Sequence, residues 1–177
     1  MAKMYGLELK AGFVETCEDD SVMKVCGLYL GATRIATVIY IRSVPDADNS
    51  VQVFVKYPYS EKKLRKAVEE LRPGQDYSLD AMLEELEWMD GMEHEFKSHL
   101  NSSNSGMLAL NFEGGQVTMG IPLKFSESSE EEILSSCQKK IEEFSEEYGE
   151  LKGYRIFHNT DEFQQGEPLN LKDITKQ

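Results

Sequence analysis

Three histidines are the side chains best suited to metal binding or proton transfer in this sequence: His94, His99 and His158. The segment from His94 to His99 looks like part of a zinc-binding helix, but its histidines are five residues apart rather than four. On a helix this spacing turns them about 140° apart, so they cannot bind one zinc ion together. Asp90 with His94, and Glu95 with His99, have the four-residue spacing and could each supply half a metal site. Because such pairs are common on acidic helices, we predict no metal site and no cofactor.

Other short motifs of catalysis are missing from the sequence. It contains no Gly-x-Gly-x-x-Gly segment, no phosphate-binding Walker loop and no Gly-x-Ser-x-Gly elbow. The three cysteines, Cys17, Cys26 and Cys137, are scattered and form no Cys-x-x-Cys pair, which argues against a disulfide framework or a zinc knuckle. Cys26 and Cys137 lie in apolar contexts and are predicted to be buried, whereas acidic neighbours disfavour a thiolate at Cys17. We therefore predict no catalytic residues.

Charge is the most unusual property of the sequence. The formal net charge is −13, and residues 80–150 hold 17 acidic and four basic side chains, so this segment accounts for the whole imbalance. A negative field repels phosphate backbones, so direct binding of nucleic acid is disfavoured. The same field would attract a protein with a basic surface, or it would simply keep the protein soluble.

The segment that follows residue 106 predicts a β-hairpin. Leu108, Leu110 and Phe112 alternate with smaller or polar residues, and the pair Gly114-Gly115 can adopt the positive φ angles of a two-residue turn. Such a turn would pair Phe112 with Val117, Leu110 with Met119, and Leu108 with Ile121. All six apolar side chains would then share one face, and Pro122 is expected to end the second strand.

A long acidic helix is predicted directly after this hairpin. Ser129 and Glu132 have the spacing of a capping box, which marks the beginning of a helix. Its apolar stripe consists of Cys137, Ile141, Phe144, Tyr148 and Leu151. Two heptads are too few to indicate a coiled coil, so packing on the protein's own sheet is favoured over a partner helix.

Further elements are predicted from periodicity and breakers. Strands are expected over 4–15, 22–30, 34–43, 51–57 and 154–158, and helices over 60–71 and 79–100. In the first strand, the alternation places one set of side chains on the buried side: Leu7, Leu9, Ala11 and Phe13. The opposite side would carry Glu8, Lys10 and Gly12.

These elements indicate an α+β fold, with a mainly antiparallel sheet of five to seven strands and about three helices packed on one face. Residues 1–160 are expected to form a single domain, with a possible boundary between sub-modules near 101–106, where Ser, Asn and Gly are concentrated. Residues 161–177 are polar and are expected to form an extended or frayed tail.

Location follows from absent signals. No apolar run approaches the roughly 18 residues that a membrane helix needs, and residues 1–3 lead directly into polar and strand-like sequence without the apolar core of a signal peptide. We therefore expect a cytoplasmic protein, or a nuclear one in a eukaryote, that does not bind membranes.

The favoured function is a non-catalytic, acidic protein-binding module, such as an adaptor, inhibitor, immunity-type protein or secretion chaperone. The predicted contact surface lies on the two acidic helices, with Trp88 included because it falls outside the apolar stripe of its helix. Its residues are Glu84, Glu87, Trp88, Asp90, Glu95, Glu130, Glu131, Glu142, Glu143, Glu146 and Glu147. One alternative is a nucleic-acid mimic that inhibits a DNA- or RNA-binding protein. Another is an enzyme without short motifs, which would need a pocket that holds a histidine and a carboxylate.

Overall fold

The predicted α+β class is confirmed by a computed structural model, which describes residues 1–43, 49–99, 106–112, 118–124 and 129–176. The strands are β1 (Lys3–Met4), β2 (Leu7–Thr16), β3 (Val22–Leu30), β4 (Thr33–Arg42), β5 (Ser50–Val55), β6 (Gly106–Phe112), β7 (Thr118–Leu123), β8 (Leu151–Phe157) and β9 (Gln164–Gln165). The helices are α1 (Glu61–Glu69), α2 (Leu79–His99), α3 (Glu130–Tyr148) and α4 (Leu171–Ile174), with a 3₁₀ turn at Thr160–Phe163.

The contacts divide the chain into two compact units. Unit 1 comprises Met1–Asp90 and Phe163–Gln177, and unit 2 comprises Gly91–Glu162. The division falls within α2, between Asp90 and Gly91, and not near the boundary expected at 101–106, where residues 101–105 lie outside the described part of the chain.

Unit 1 is built on a six-stranded sheet in the order β5-β4-β3-β2-β1-β9. Every neighbouring pair is antiparallel except β1 and β9, which are parallel. This confirms the expected mainly antiparallel sheet. One face carries Val38 and Tyr40 of β4, both fully buried. The hydroxyl of Tyr40 donates a hydrogen bond to the carbonyl of Leu83 in α2 at 2.9 Å, so the first part of α2 packs on this face.

A β-bulge changes the prediction for β2. The pairing of β2 with β3 shifts between Ala11 and Phe13, so Gly12 is an extra residue without a counterpart. Phe13 therefore lies opposite Val25, on the face away from the core, and 53% of it is exposed. The expectation that Phe13 shares the buried side with Leu7 was wrong, because simple alternation cannot represent one inserted residue.

The C-terminal segment is ordered, contrary to the expectation of an extended or frayed tail. β9 forms the edge of the larger sheet beside β1, and Phe163 and Ile174 are fully buried. The amide of Tyr5 donates to the carbonyl of Gln165 at 2.6 Å, and the amide of Ser60 donates to the carbonyl of Ile174 at 2.8 Å. Four scattered apolar residues in a polar segment were too weak a pattern to predict this packing.

Unit 2 is built on a three-stranded antiparallel sheet in the order β7-β6-β8. Leu108 pairs with Ile121 and Leu110 with Met119, which confirms two of the three predicted hairpin pairs. The glycine turn and Val117 lie outside the described residues. Strand β7 continues to Leu123, one residue beyond the Pro122 that was expected to end it. This is possible because β7 is an edge strand.

Helix α3 packs on this small sheet, as predicted. Both bonds of the capping box are present: Ser129 N–H donates to Glu132 Oε2 at 2.8 Å, and Glu132 N–H donates to Ser129 Oγ at 3.3 Å. Cys137 and Ile141 are buried, and the core they share with β6 and β7 has the half-buried rings of Phe144 and Tyr148 packed against it. Because its apolar stripe is covered by its own sheet, the opposite side of α3 is left exposed.

Candidate protein-binding surface

The predicted contact residues Glu84 and Glu87 of α2 are paired with bases of the sheet in unit 1. Arg42 binds both oxygens of Glu84, at 3.0 and 2.6 Å, and also Glu87 at 2.5 Å. Lys24 binds the other oxygen of Glu87 at 3.1 Å. Burial lowers the pKa of Arg42, but the hydrogen bonds to Glu84 and Glu87 outweigh it and raise the pKa overall. These two carboxylates therefore help to hold α2 on the sheet.

Other acids in the first half of α2 also face bases of unit 1. Asp80 lies 3.2 Å from Arg65 of α1, and Glu85 lies 3.2 Å from Arg72. The negative charge of this half is thus largely compensated within the unit. Nothing in the sequence near Arg42 or Lys24 indicated this compensation, because each base lies more than 40 residues along the chain from the glutamate that it binds in these pairs.

Three further predicted residues of α2 have local surroundings that limit their use as contacts. Trp88 and Asp90 are half-buried. Glu95, in unit 2, accepts a hydrogen bond from the backbone amide of Gly120 in β7 at 3.2 Å. Glu95 Oε1 also lies 3.6 Å from His99 Nε2. The arrangement gives Glu95 a role in joining this part of α2 to the small sheet of unit 2.

The predicted acids of α3 have different surroundings, and all of them are exposed. Glu130 accepts a hydrogen bond from the hydroxyl of Tyr154, which raises the pKa of Tyr154. Glu143 lies 3.8 Å from Lys139 in a pair that is open to solvent. Within the described part of the chain, no ion pair joins a base to the remaining ones: Glu131, Glu142, Glu146 and Glu147.

The last two turns of α3 concentrate these charges. Glu142 and Glu146 are four residues apart, as are Glu143 and Glu147, so like charges are neighbours on the helix surface. Glu146 and Glu147 also lie at the negative end of the helix dipole, where carboxylates are unfavourable. Every residue of α3 is described, and its last turn has no basic side chain. This arrangement destabilises the helix locally, so favourable interactions within the helix do not account for it. We call Glu142, Glu143, Glu146 and Glu147 the α3 acid cluster.

A surface pocket in unit 2 bears on the enzyme hypothesis. It has a volume of about 360 Å³ and lies between the beginning of α3 and strand β8. Its lining includes Glu130, Ile133, Tyr154, Ile156 and His158. A histidine and a carboxylate therefore line one pocket, near the lower end of the size range typical of ligand sites.

Two further kinds of feature, metal-binding groups and membrane-spanning helices, can be assessed over all the residues that the structure describes. The described residues include no group of three or more histidines, cysteines and carboxylates that could hold a metal ion. None of the helices found there is both long enough and apolar enough to cross a membrane. Comparisons with protein-family models, with curated proteins and with solved structures found no match to this chain.

Proposed function

We propose that the protein is a non-catalytic protein-binding module that uses the α3 acid cluster to contact a basic surface on a partner protein. An adaptor, an inhibitor, an immunity-type protein or a secretion chaperone would each fit this description. The observation that carries the proposal is the concentration of four carboxylates in the last two turns of a helix that has no base in its last turn. A local arrangement that lowers stability calls for a function that compensates for it.

The contrast between the two acidic helices supports a contact centred on α3. Four acids of α2 in unit 1 have Arg42, Lys24, Arg65 and Arg72 as partners. A partner protein would have to displace those bases before it could bind the same carboxylates. The carboxylates of the α3 acid cluster are exposed, and the partners described for them belong to the same helix: Gln138, Lys139 and Tyr148. Opposite charges then increase the rate of association and select among partners.

The test uses two variants with the same change in net charge. The first replaces the α3 acid cluster with glutamines (Glu142→Gln, Glu143→Gln, Glu146→Gln and Glu147→Gln). The control replaces four exposed acids of unit 1 that lie outside its helices (Glu18→Gln, Asp20→Asn, Asp76→Asn and Glu167→Gln). Glutamine keeps the helix propensity and the length of glutamate, so the fold should be unchanged.

Each variant and the unmodified protein would be immobilised and exposed to a lysate of the source cells, and captured proteins quantified by mass spectrometry. We expect a basic partner that the unmodified protein and the control capture, and that the α3 variant loses. Raising the salt from about 0.1 to 1 M shortens the screening length from about 10 to 3 Å, so capture should fall steeply. Equal capture by all three proteins, or capture that salt does not weaken, would overturn the proposal. Competition by duplex DNA for the same partner would instead favour the nucleic-acid mimic.

A second candidate function, an enzyme without short motifs, is favoured by the pocket of unit 2. His158 could transfer protons. Glu130 could orient a bound group by accepting a hydrogen bond from it or by interacting with a positive charge on it. Nuclear magnetic resonance during a screen of small metabolites would show whether a ligand shifts the signals of His158 and Tyr154 together. The substitution His158→Ala should then weaken turnover of that ligand without affecting partner capture by the α3 acid cluster.

A further inference from the structure

Strand β2 has one open edge. Over Ala11–Thr16, the only described strand that pairs with it is β3, because β1 meets β2 only at Leu7. All six residues of Ala11–Thr16 are exposed. An open edge presents unpaired amide and carbonyl groups that can add another strand.

This edge carries exposed apolar side chains, whereas most edge strands carry features that prevent pairing with another strand. Phe13 and Val14 are 53% and 64% exposed, on opposite faces of the strand. Natural proteins commonly protect an edge with a lysine or a bulge, and β2 has both, in Lys10 and Gly12. The protection is incomplete here, because the bulge also changes which side chains share a face.

The bulge places Lys10 and Glu15 on the same face of the sheet. Lys10 lies opposite Gly27 and Glu15 lies opposite Met23. Gly27 and Met23 are four residues apart on β3, so they share a face, and their partners on β2 must share it too. Lys10 and Glu15 are five residues apart and would face opposite ways in a regular strand. The single inserted residue, Gly12, is what aligns them.

We propose that two copies of this protein pair along β2, antiparallel, around a twofold axis perpendicular to the sheet. The axis lies between the two copies of β2, at the level of the peptide bond that joins Gly12 and Phe13. Each Lys10 then lies opposite Glu15 of the other copy. Ala11 then lies opposite Val14 of the other copy. This pairing forms two contacts between Lys10 and Glu15 and two apolar contacts between Ala11 and Val14. Backbone hydrogen bonds of the sheet would form along the shared edge.

Charge and side-chain geometry both permit this contact. Lys10 is held over the ring of Tyr29 at 4.2 Å and lies 3.1 Å from Glu8, yet 42% of its side chain is exposed. An ammonium group has three donors, so it can bind a second carboxylate. The residues outside 80–150, which include β2, hold 15 acidic and 15 basic side chains. The net charge of −13 therefore comes from residues 80–150, and not from the part of the sequence that includes β2.

The test reverses these charges one at a time and then together in the full chain. Sedimentation velocity over roughly 1–200 µM covers the micromolar affinities of modest interfaces. We expect a concentration-dependent dimer for the unmodified protein. Lys10→Glu alone, or Glu15→Lys alone, should raise the dissociation constant by roughly tenfold or more, about 1.4 kcal/mol. The double variant should regain the dimer, and so should an equimolar mixture of the two single variants, because both contacts again join opposite charges.

Folding is controlled by comparing the circular dichroism and thermal midpoint of each single variant with those of the unmodified protein. A single variant that misfolds cannot form the mixed dimer, so the mixture also reports on the fold. Hydrogen exchange should show protection of Ala11–Thr16 that increases with protein concentration. A monomer at every concentration, a dimer that ignores both reversals, or open-ended assembly would each overturn the proposal.

Discussion

Replacing the α3 acid cluster with glutamines should make the protein more stable while it removes partner binding. The four substitutions are Glu142→Gln, Glu143→Gln, Glu146→Gln and Glu147→Gln. They relieve two like-charge neighbours spaced by four residues, and they remove two carboxylates from the last turn of α3. Most substitutions destabilise proteins, so a gain would be unusual and informative.

The size of the gain follows from the helix geometry. Each like-charge pair at this spacing costs about 0.2–0.5 kcal/mol. Each carboxylate in the last turn costs about 0.3–1 kcal/mol through the dipole. Against this, the variant loses the exposed contact between Lys139 and Glu143 at 3.8 Å. The hydrogen bond from Gln138 to position 142, now 2.9 Å, can still form with an amide oxygen as acceptor. The expected net gain is about 1 kcal/mol, or roughly 2–4 °C in thermal midpoint.

Urea unfolding at low ionic strength, followed by far-ultraviolet circular dichroism, would measure this gain. The control with Glu18→Gln, Asp20→Asn, Asp76→Asn and Glu167→Gln has the same net charge and should gain much less, because none of these acids lies in a helix. At about 1 M salt the difference between the variants should disappear, because exposed charges are then screened. An equal gain in both variants would assign the effect to overall charge. An α3 variant that is less stable than the unmodified protein would refute the reasoning about local strain in the helix.

Three further outcomes test the interior of unit 1. Tyr40→Phe should cost about 1 kcal/mol in urea unfolding, because it removes the hydroxyl that donates to the carbonyl of Leu83 but leaves the ring packed; no loss would mean that this bond is not formed. Arg42→Met keeps the apolar stem but leaves two glutamates without their shared base, and should cost about 1–2 kcal/mol, more than a solvent-exposed ion pair contributes. Burial raises the pKa of the Cys26 thiol, so at pH 8 less of it is thiolate and a maleimide should modify half-exposed Cys17 first, as peptide mass spectrometry would show; faster labelling of Cys26 would contradict its burial.

Local signals in the sequence predicted the parts of the fold that depend on neighbours along the chain. The pairing of Leu108 with Ile121 followed from a turn and two alternating strands. The beginning of α3 followed from the reciprocal bonds of Ser129 and Glu132. In each case the interacting residues lie within about 15 positions of one another, so their types and spacing contain the necessary information.

Interactions between distant parts of the chain could not be predicted in this way. Arg42 and Glu84 are separated by 42 positions, and nothing in either segment specifies the other. The inserted residue at Gly12 becomes visible only when β2 and β3 are paired, which is why Phe13 was assigned to the wrong face. Apart from Trp88, the candidate contacts were therefore predicted from net charge alone, and the separation of compensated acids on α2 from exposed acids on α3 needed the structure.

The edge formed by β9 has a consequence for how the protein is made. Strands β1–β5 belong to unit 1, but β9 and α4, which complete that unit, are encoded after all of unit 2. On the ribosome, the first five strands are made before β9 and α4. Roughly 70 intervening residues are synthesised in between, which takes several seconds or more at ordinary rates of elongation. During that interval Met4 has no strand on its outer side, and the site that Phe163 fills stays empty. Until translation has passed residues 163–174, the edge of the nascent sheet at β1 therefore stays accessible to chaperones and proteases.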